Sequence, residues 1–481
     1  MAPTLPLLLL SLSLTLTLTP THAHARAHAA AADTDPTVWE ISTRPWLYAM
    51  AQKYGRDGGG GGLSEGGMMR LKDVPLSEWQ AIAADGMRVV WLMGVWELGA
   101  FGLNHDKTTP SLLSAYRAEL PSFSLPDVIG SPYAIVNYTV NESEIGSDDD
   151  LAAVRATLNS LGMLLMLDMV PNHMAVDSVL ASTCGAKCFI TKPTSGSFPD
   201  GWWITRGDTT FAFGRDPYDG AWTDTLQLNY WSPDTVAAMT AVLMKVANQA
   251  DMVRCDMAML ALNDVIARTW GGVMSANGVQ RPSSEFWATA IAAVKQQHPS
   301  FRLMAEAYNY GITTPPEKQK LQQLGFDYVY DKTVLDLLKA NNLDNLRAYI
   351  GGSSQAFYSH TAHFVENHDE PRAAAVLGGQ QAAFAGSVIA STLPGLKLYY
   401  FGQFDGLTAR LDVHLRRATS QPANATLHAE YTKLMSVISD PVFHTGTWTY
   451  IPVSKAGSGW RLAAWRWGSE SESESESESE S

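Results

Sequence analysis

Four short stretches of the chain bring ionisable side chains together: Asp168-Met-Val-Pro-Asn172-His173, Arg254-Cys-Asp256, Ala305-Glu306-Ala307 and Glu366-Asn-His368-Asp369. Arg254 and Asp256 are two apart, so on extended backbone both side chains point to the same face. A guanidinium beside a carboxylate favours the ionised form and lowers its pKa, which suits a nucleophile. Taken alone, the pair serves equally well as an internal ion pair. Glu306 follows an apolar run and precedes Ala307, an environment in which a carboxyl can stay partly desolvated with a raised pKa, as a general acid requires, although a single glutamate at a strand end serves equally well in a surface or salt-bridge role. Asp256 and Glu306 thus supply two carboxylates for glycosidic cleavage, and Asp369 beside His368 supplies a third to hold a cationic transition state.

Residues so far apart in sequence act together only if the fold gathers them. Short apolar runs rich in Val, Leu, Met and Tyr alternate with longer amphipathic stretches, the pattern of βα units around a parallel sheet. Strands are expected at 46–50, 88–93, 163–169, 252–257, 302–307, 328–330, 363–366 and 396–401, with helices at 77–84, 148–161, 235–250, 284–298, 382–392 and 427–439. Eight strands separated by helices predict an α/β fold, a closed (β/α)8 TIM barrel. All strands then end at one face, and the four stretches converge there. The rival open doubly wound sheet lacks a G-x-G-x-x-G after its first strand.

The barrel is expected over 40–173 and 223–439, interrupted after the third strand by an inserted domain at 174–222, since connections of that length rarely lack structure of their own. A partial C-terminal β-domain is expected at 440–468, opening with a hairpin, followed by a disordered Ser-Glu tail at 469–481. Residues 5–18 form an apolar stretch followed by Ala-x-Ala triplets. With the leader at 1–29 this reads as a secretory signal peptide without a basic n-region, and secretion is expected.

Composition narrows the function classes. With 46% hydrophobic and 17% charged residues, the chain is neither disordered nor fibrous. The formal charge is −14, and six of the acids belong to the Ser-Glu run. A mildly acidic body argues against nucleic acid as a partner. No segment after the leader is long and apolar enough to span a bilayer, so no membrane partner is expected once the leader is removed. Three cysteines, Cys184, Cys188 and Cys255, are too few for a disulfide framework or a four-cysteine zinc site. Cys184 and Cys188 could pair after secretion or remain free.

In order and spacing the four stretches resemble the sequence regions of the α-amylase superfamily, glycoside hydrolase family 13, over residues 46–467. The resemblance implies Asp256 as nucleophile, Glu306 as general acid/base and Asp369 as transition-state stabiliser. It also implies Arg254, His173 and His368 as substrate contacts or supports of the nucleophile, Asp168 as a structural acid, and Tyr133 as a platform under the sugar. The insertion after the third strand resembles the family's domain B, and Leu226-Gln-Leu-Asn-Tyr230 resembles the motif near that domain's end.

The implied substrate is an α-glucan, starch or a maltodextrin, cleaved with retention. No organic cofactor is implied, and the one ion implied is calcium, with Asn172 among its ligands. Two departures stand out. Met259 and Leu260 occupy positions where many α-amylases carry a Lys-His pair, and Asn229 stands where a carboxylate often helps bind calcium. A transglycosidase or isomerase on the same barrel, and a barrel that only binds carbohydrate, are the alternative readings. The intact trio of acids argues against the last.

Overall fold

The structure, a computed structural model, describes residues 35–55, 67–218, 220–453 and 462–468. The expected signal peptide, the glycine run at 58–62, the Ser-Glu tail and Trp460 lie outside them. Eight parallel strands close into a barrel: β1 (Thr37–Ser42), β2 (Val89–Met93), β3 (Leu164–Met169), β4 (Met252–Cys255), β5 (Arg302–Ala305), β6 (Tyr328–Asp331), β7 (Thr361–His363) and β8 (Leu396–Tyr400). Each pairs with its sequence neighbours and β8 returns to β1. Helices cover the outside, among them Asp148–Ser160 after β2, Pro233–Gln249 after β3, Phe286–Gln297 after β4, Gln380–Thr392 after β7 and Ala425–Ile438 after β8.

The inner face is filled by alternate residues, as the two-residue period of a strand requires. Val38, Val89, Trp91, Leu164, Met166, Met252, Met304, Tyr328, Tyr330, Ala362, Phe364, Leu396 and Leu398 form one buried cluster. Extending that parity toward the carboxyl ends gives Glu40, Asp168, Arg254, Asp256, Glu306, Glu366 and His368. The apolar layers fill the lower barrel, and the same alternation delivers the polar side chains to its upper mouth.

The expected first strand is corrected. Residues 46–50 belong to the helix Thr43–Tyr54, and the strand is Thr37–Ser42. Trp46, Leu47, Met50 and Ala51 are buried at helical spacing, and Pro45 is tolerated in the first turn. The true strand is disguised by the charge of Glu40 within it. The seventh strand is Thr361–His363 instead of 363–366. Glu366 leaves the ladder to accept hydrogen bonds from Arg372 (2.8 Å) and the Ala373 amide (2.7 Å).

Two excursions rise from the barrel mouth. Between β2 and the helix Asp148–Ser160 stands a segment that the sequence pattern did not mark as an insertion. It carries the paired strands Trp96–Leu98 and Ile135–Val140 and the helices Ala100–Thr108 and Pro110–Glu119. Between β3 and the helix Pro233–Gln249 stand the antiparallel pairs His173–Ala175 with Thr225–Gln227 and Trp203–Arg206 with Thr209–Ala212, and Cys184 is disulfide-bonded to Cys188.

At the C-terminal end, Thr447–Ile451 pairs with Ala464–Gly468. A lone hairpin is only marginally stable, and this one leans on the barrel. Trp448 packs on Tyr358 with ring centroids 5.6 Å apart, and Trp467 donates its indole N–H to the Thr392 carbonyl at 2.8 Å.

Candidate active site

The parallel ladder fixes the site before any side chain is considered. Arg254 is registered against Asp168, and Cys255 against Ala305. Hydrogen bonding continues one residue beyond the strands: the Asp256 amide donates to the Met169 carbonyl (2.8 Å) and the Glu306 amide to the Cys255 carbonyl (2.9 Å). Asp256 and Glu306 therefore sit at the ends of adjacent strands on backbone tied into the sheet's hydrogen-bond ladder.

Arg254, fully buried, joins them. Its Nη1 lies 2.7 Å from Asp256 Oδ1 and 3.6 Å from Asp168 Oδ1, and its Nη2 lies 2.7 Å from Glu306 Oε2 and 4.0 Å from Asp369 Oδ2. Burying a guanidinium is costly unless its donors are matched by anions, and four carboxylates surround this one. The faces of Trp91, Tyr133 and Tyr330, with ring centroids 5.3 to 5.8 Å away, complete its cage.

Met257, directly after Asp256, adopts a left-handed conformation with φ of 39°. That turn directs its backbone N–H to Glu306 Oε2 at 2.8 Å, while the Tyr308 hydroxyl donates to Oε1 at 3.0 Å. Burial raises the Glu306 pKa to about 7, against the pull of Arg254 and with help from the charges of Asp256 and Asp369. Burial also raises Asp256. This corrects the expectation that Arg254 would leave that carboxyl below its ordinary value: the guanidinium does lower it, but desolvation is the larger effect.

The fourth stretch reaches the same point. His368 Nδ1 lies 2.5 Å from Glu40 Oε1, and its Nε2 lies 2.6 Å from the Tyr133 hydroxyl and 3.1 Å from Asp369 Oδ2. Despite burial, these carboxylates raise its pKa to about 9. Tyr133 stacks on the His368 ring at 5.4 Å. Asp369 differs from the other acids in being open, its side chain 44% exposed. His173 hydrogen-bonds the Tyr133 backbone and packs on Trp222, and burial lowers its pKa to about 4, which keeps it neutral. Asp168 accepts from the Trp91 indole (3.1 Å) and the Gly94 amide (3.2 Å), and burial raises it to about 6.

The structure thus brings together Asp168, Arg254, Asp256, Glu306, His368, Asp369, Tyr133 and His173. Glu40, Trp91, Tyr308, Tyr330 and the Met257 amide were missed. A signal existed for Glu40, a charge inside the β-prone run Thr37–Ser42, but the others look like ordinary core residues. Trp202 and Trp203 pack against Trp270. Met259 and Leu260 are buried in a 3-10 turn.

The residues around Asn172 do not fit a calcium ion. Asn172 Oδ1 accepts a hydrogen bond from Gln227 Nε2 at 2.9 Å, and Asn229 Oδ1 accepts one from the Trp231 amide at 3.1 Å. Among the described residues no three His, Cys, Asp or Glu side chains gather into a set that could hold a metal ion. Nor is any helix among them long and apolar enough to cross a membrane.

A (β/α)8 barrel with adjacent buried carboxylates at its upper mouth defines a class of barrel whose site is equipped for acid–base chemistry. The description of the α-amylase catalytic domain matches residues 120–442, and the chain belongs to that family of glycoside hydrolases, family 13. Solved structures with the same fold include an α-amylase from Lactobacillus plantarum (19% identity, 89% of this chain and 84% of that one, TM-score 0.58). Another is an α-amylase from H. orenii (16% identity, 91% and 88%, TM-score 0.61). A debranching enzyme from Nostoc punctiforme is a third (13% identity, 90% and 87%, TM-score 0.58). No curated protein sequence matches the chain.

Proposed function

We propose that this glycoside hydrolase cleaves α-1,4-glucosidic bonds of starch or maltodextrins with retention, through a covalent glycosyl-enzyme. The observation that carries the reading is the Arg254 bridge between Asp256 and Glu306. Retaining pairs stand about 5–5.5 Å apart, whereas inverting pairs leave about 6.5–9.5 Å for a water. Carboxylates gripped by the two terminal nitrogens of one guanidinium are drawn together, which favours the retaining arrangement.

In this reading Glu306, with a pKa near 7, carries the proton it gives to the glycosidic oxygen. Asp256 Oδ1 is held by Arg254, so Oδ2 attacks the anomeric carbon. The C–O bond to the leaving sugar breaks as the glycosyl ester forms. Glu306, now ionised, takes a proton from water, the water oxygen attacks the same carbon, and Asp256 leaves as carboxylate. Asp369, open to the cleft, faces the positive charge that develops on the sugar ring. Tyr133 and His368 form the platform beneath it. Calcium takes no part in these steps. The 1–29 leader and the Cys184–Cys188 disulfide support secretion, since disulfides persist in oxidising compartments.

The test is reducing-sugar release from soluble starch by the purified chain, beside Asp256→Asn, with products from a maltooligosaccharide separated by chromatography. Release by the wild type, its loss in the variant, and products no longer than the substrate are expected. Products longer than the substrate would replace hydrolysis with transfer, and a folded wild type inert on every α-glucan would overturn the reading.

A further inference from the structure

Gln227 ends the strand Thr225–Gln227 at the base of the second excursion, and is itself buried. Its Nε2 lies 2.9 Å from the Asn172 carbonyl oxygen, 2.9 Å from Asn172 Oδ1 and 3.3 Å from the Leu228 carbonyl oxygen. Three carbonyl oxygens, from the end of β3 and from the returning strand, thus converge on one nitrogen. Clustered carbonyl oxygens repel one another and need something positive at their centre. Hard cations such as calcium commonly satisfy such a set, at about 2.3–2.6 Å. Here an amide NH2, with two partly positive hydrogens, stands in that place.

The orientation of the amide has its own support. Gln227 Oε1 accepts the Arg215 backbone N–H at 3.2 Å. Turned over, the amide would oppose N–H to NH2 on one side and four oxygens to one another on the other, losing every bond it makes. The consequence reaches the cleft. Asn172 precedes His173, whose strand pairs with that of Gln227 in direct register, and His173 in turn touches the Tyr133 backbone.

We propose that the Gln227 side-chain amide substitutes for a cation at Asn172, tying the excursion to the end of β3 and positioning His173, so that this corner of the site holds without calcium. Gln227 is a positioning residue, and the inference does not rest on which glucoside is cleaved. It makes Gln227→Glu a specific instrument. An ionised carboxylate of nearly the same size faces the same three oxygens with no hydrogen to offer, and it must bind a cation or take up a proton to remain there.

The experiment compares melting temperatures, by circular dichroism, of the wild-type chain and Gln227→Glu after exhaustive treatment with EGTA and again with millimolar calcium. KM and kcat on a maltooligosaccharide are measured in parallel. The wild-type melting temperature is expected to be the same in both solutions. The variant is expected to melt several degrees lower in EGTA and to recover most of that loss with calcium, its KM returning with it. A wild-type melting temperature that falls in EGTA and recovers with calcium would overturn the proposal, as would a variant indifferent to both. If the variant cannot be folded in either solution, the wild-type comparison alone decides, in the same two directions.

Discussion

Glu40 Oε1 and His368 Nδ1 lie 2.5 Å apart, joining β1 to the loop after β7 across 328 residues of sequence. Both side chains are sealed from solvent. A histidine so placed without an anion would be neutral. Beside Glu40 and Asp369 it is held as imidazolium up to about pH 9, and both of its N–H groups are committed, one to Glu40 and one toward Tyr133 and Asp369.

Replacing Glu40 with Gln is therefore expected to lower the His368 pKa by about one unit or more, read from its ring-proton shifts across a pH series by NMR. The sign of the stability effect follows. His368 titrates higher folded than its ordinary 6.5, so its stabilisation is full below that value and is lost as pH rises toward about 9. Between those limits the wild type should lose stability with pH more steeply than Glu40→Gln in denaturant titrations.

The rate should depend on pH through Glu306. In the proposed mechanism its proton is required for leaving-group departure, and its pKa is about 7, so kcat/KM should fall above roughly neutral pH, approaching tenfold per unit. Glu306→Gln should lower kcat by about 10²- to 10⁴-fold and abolish that alkaline limb. In Asp256→Asn the neighbouring charge that helps raise Glu306 is gone, and carboxyl infrared or NMR titration should place Glu306 lower than in the wild type.

Arg254→Leu should be among the most damaging substitutions in the barrel. It strands buried carboxylates of Asp168, Asp256 and Glu306 and should cost about 3–5 kcal/mol at neutral pH. Each of the three is already raised by burial and lowered by Arg254, so losing the guanidinium raises them further. The deficit should shrink on acidification as they take up protons, a trend visible in urea midpoints at pH 5 and pH 8.

Met257 tests the backbone. At φ of 39° an unbranched side chain is accommodated, but a β-branched one is a steric outlier. Met257→Ile should cost about 1–3 kcal/mol and lower kcat, because the N–H on Glu306 Oε2 is re-aimed. Chemical denaturation and kinetics on the same preparation would detect both effects.

How much of this was legible beforehand varies from residue to residue. Asp168, Arg254, Asp256 and Glu306 could be read because each sits in or directly after an apolar run, and the two-residue period of a strand states which side chains share a face. The first strand could not. Glu40 breaks its apolar run, while residues 46–50 are as apolar as a strand and reveal their helical spacing only when packed. The excursion between β2 and the helix Asp148–Ser160 escaped because its elements are short and weakly patterned.

Sequence alone determined the alternation of strand and helix from β2 onward, the placing of the acids at or beyond strand ends and hence the class of chemistry, since those follow from local period and residue type. The tertiary structure decided what the acids are worth. The upward shift of Asp256 against the pull of Arg254, the imidazolium of His368 under Glu40, and the Gln227 amide among the oxygens around Asn172 all depend on desolvation and on contacts across distant segments. Burial and partner distance are properties of the packed chain, and local sequence does not encode them one residue at a time.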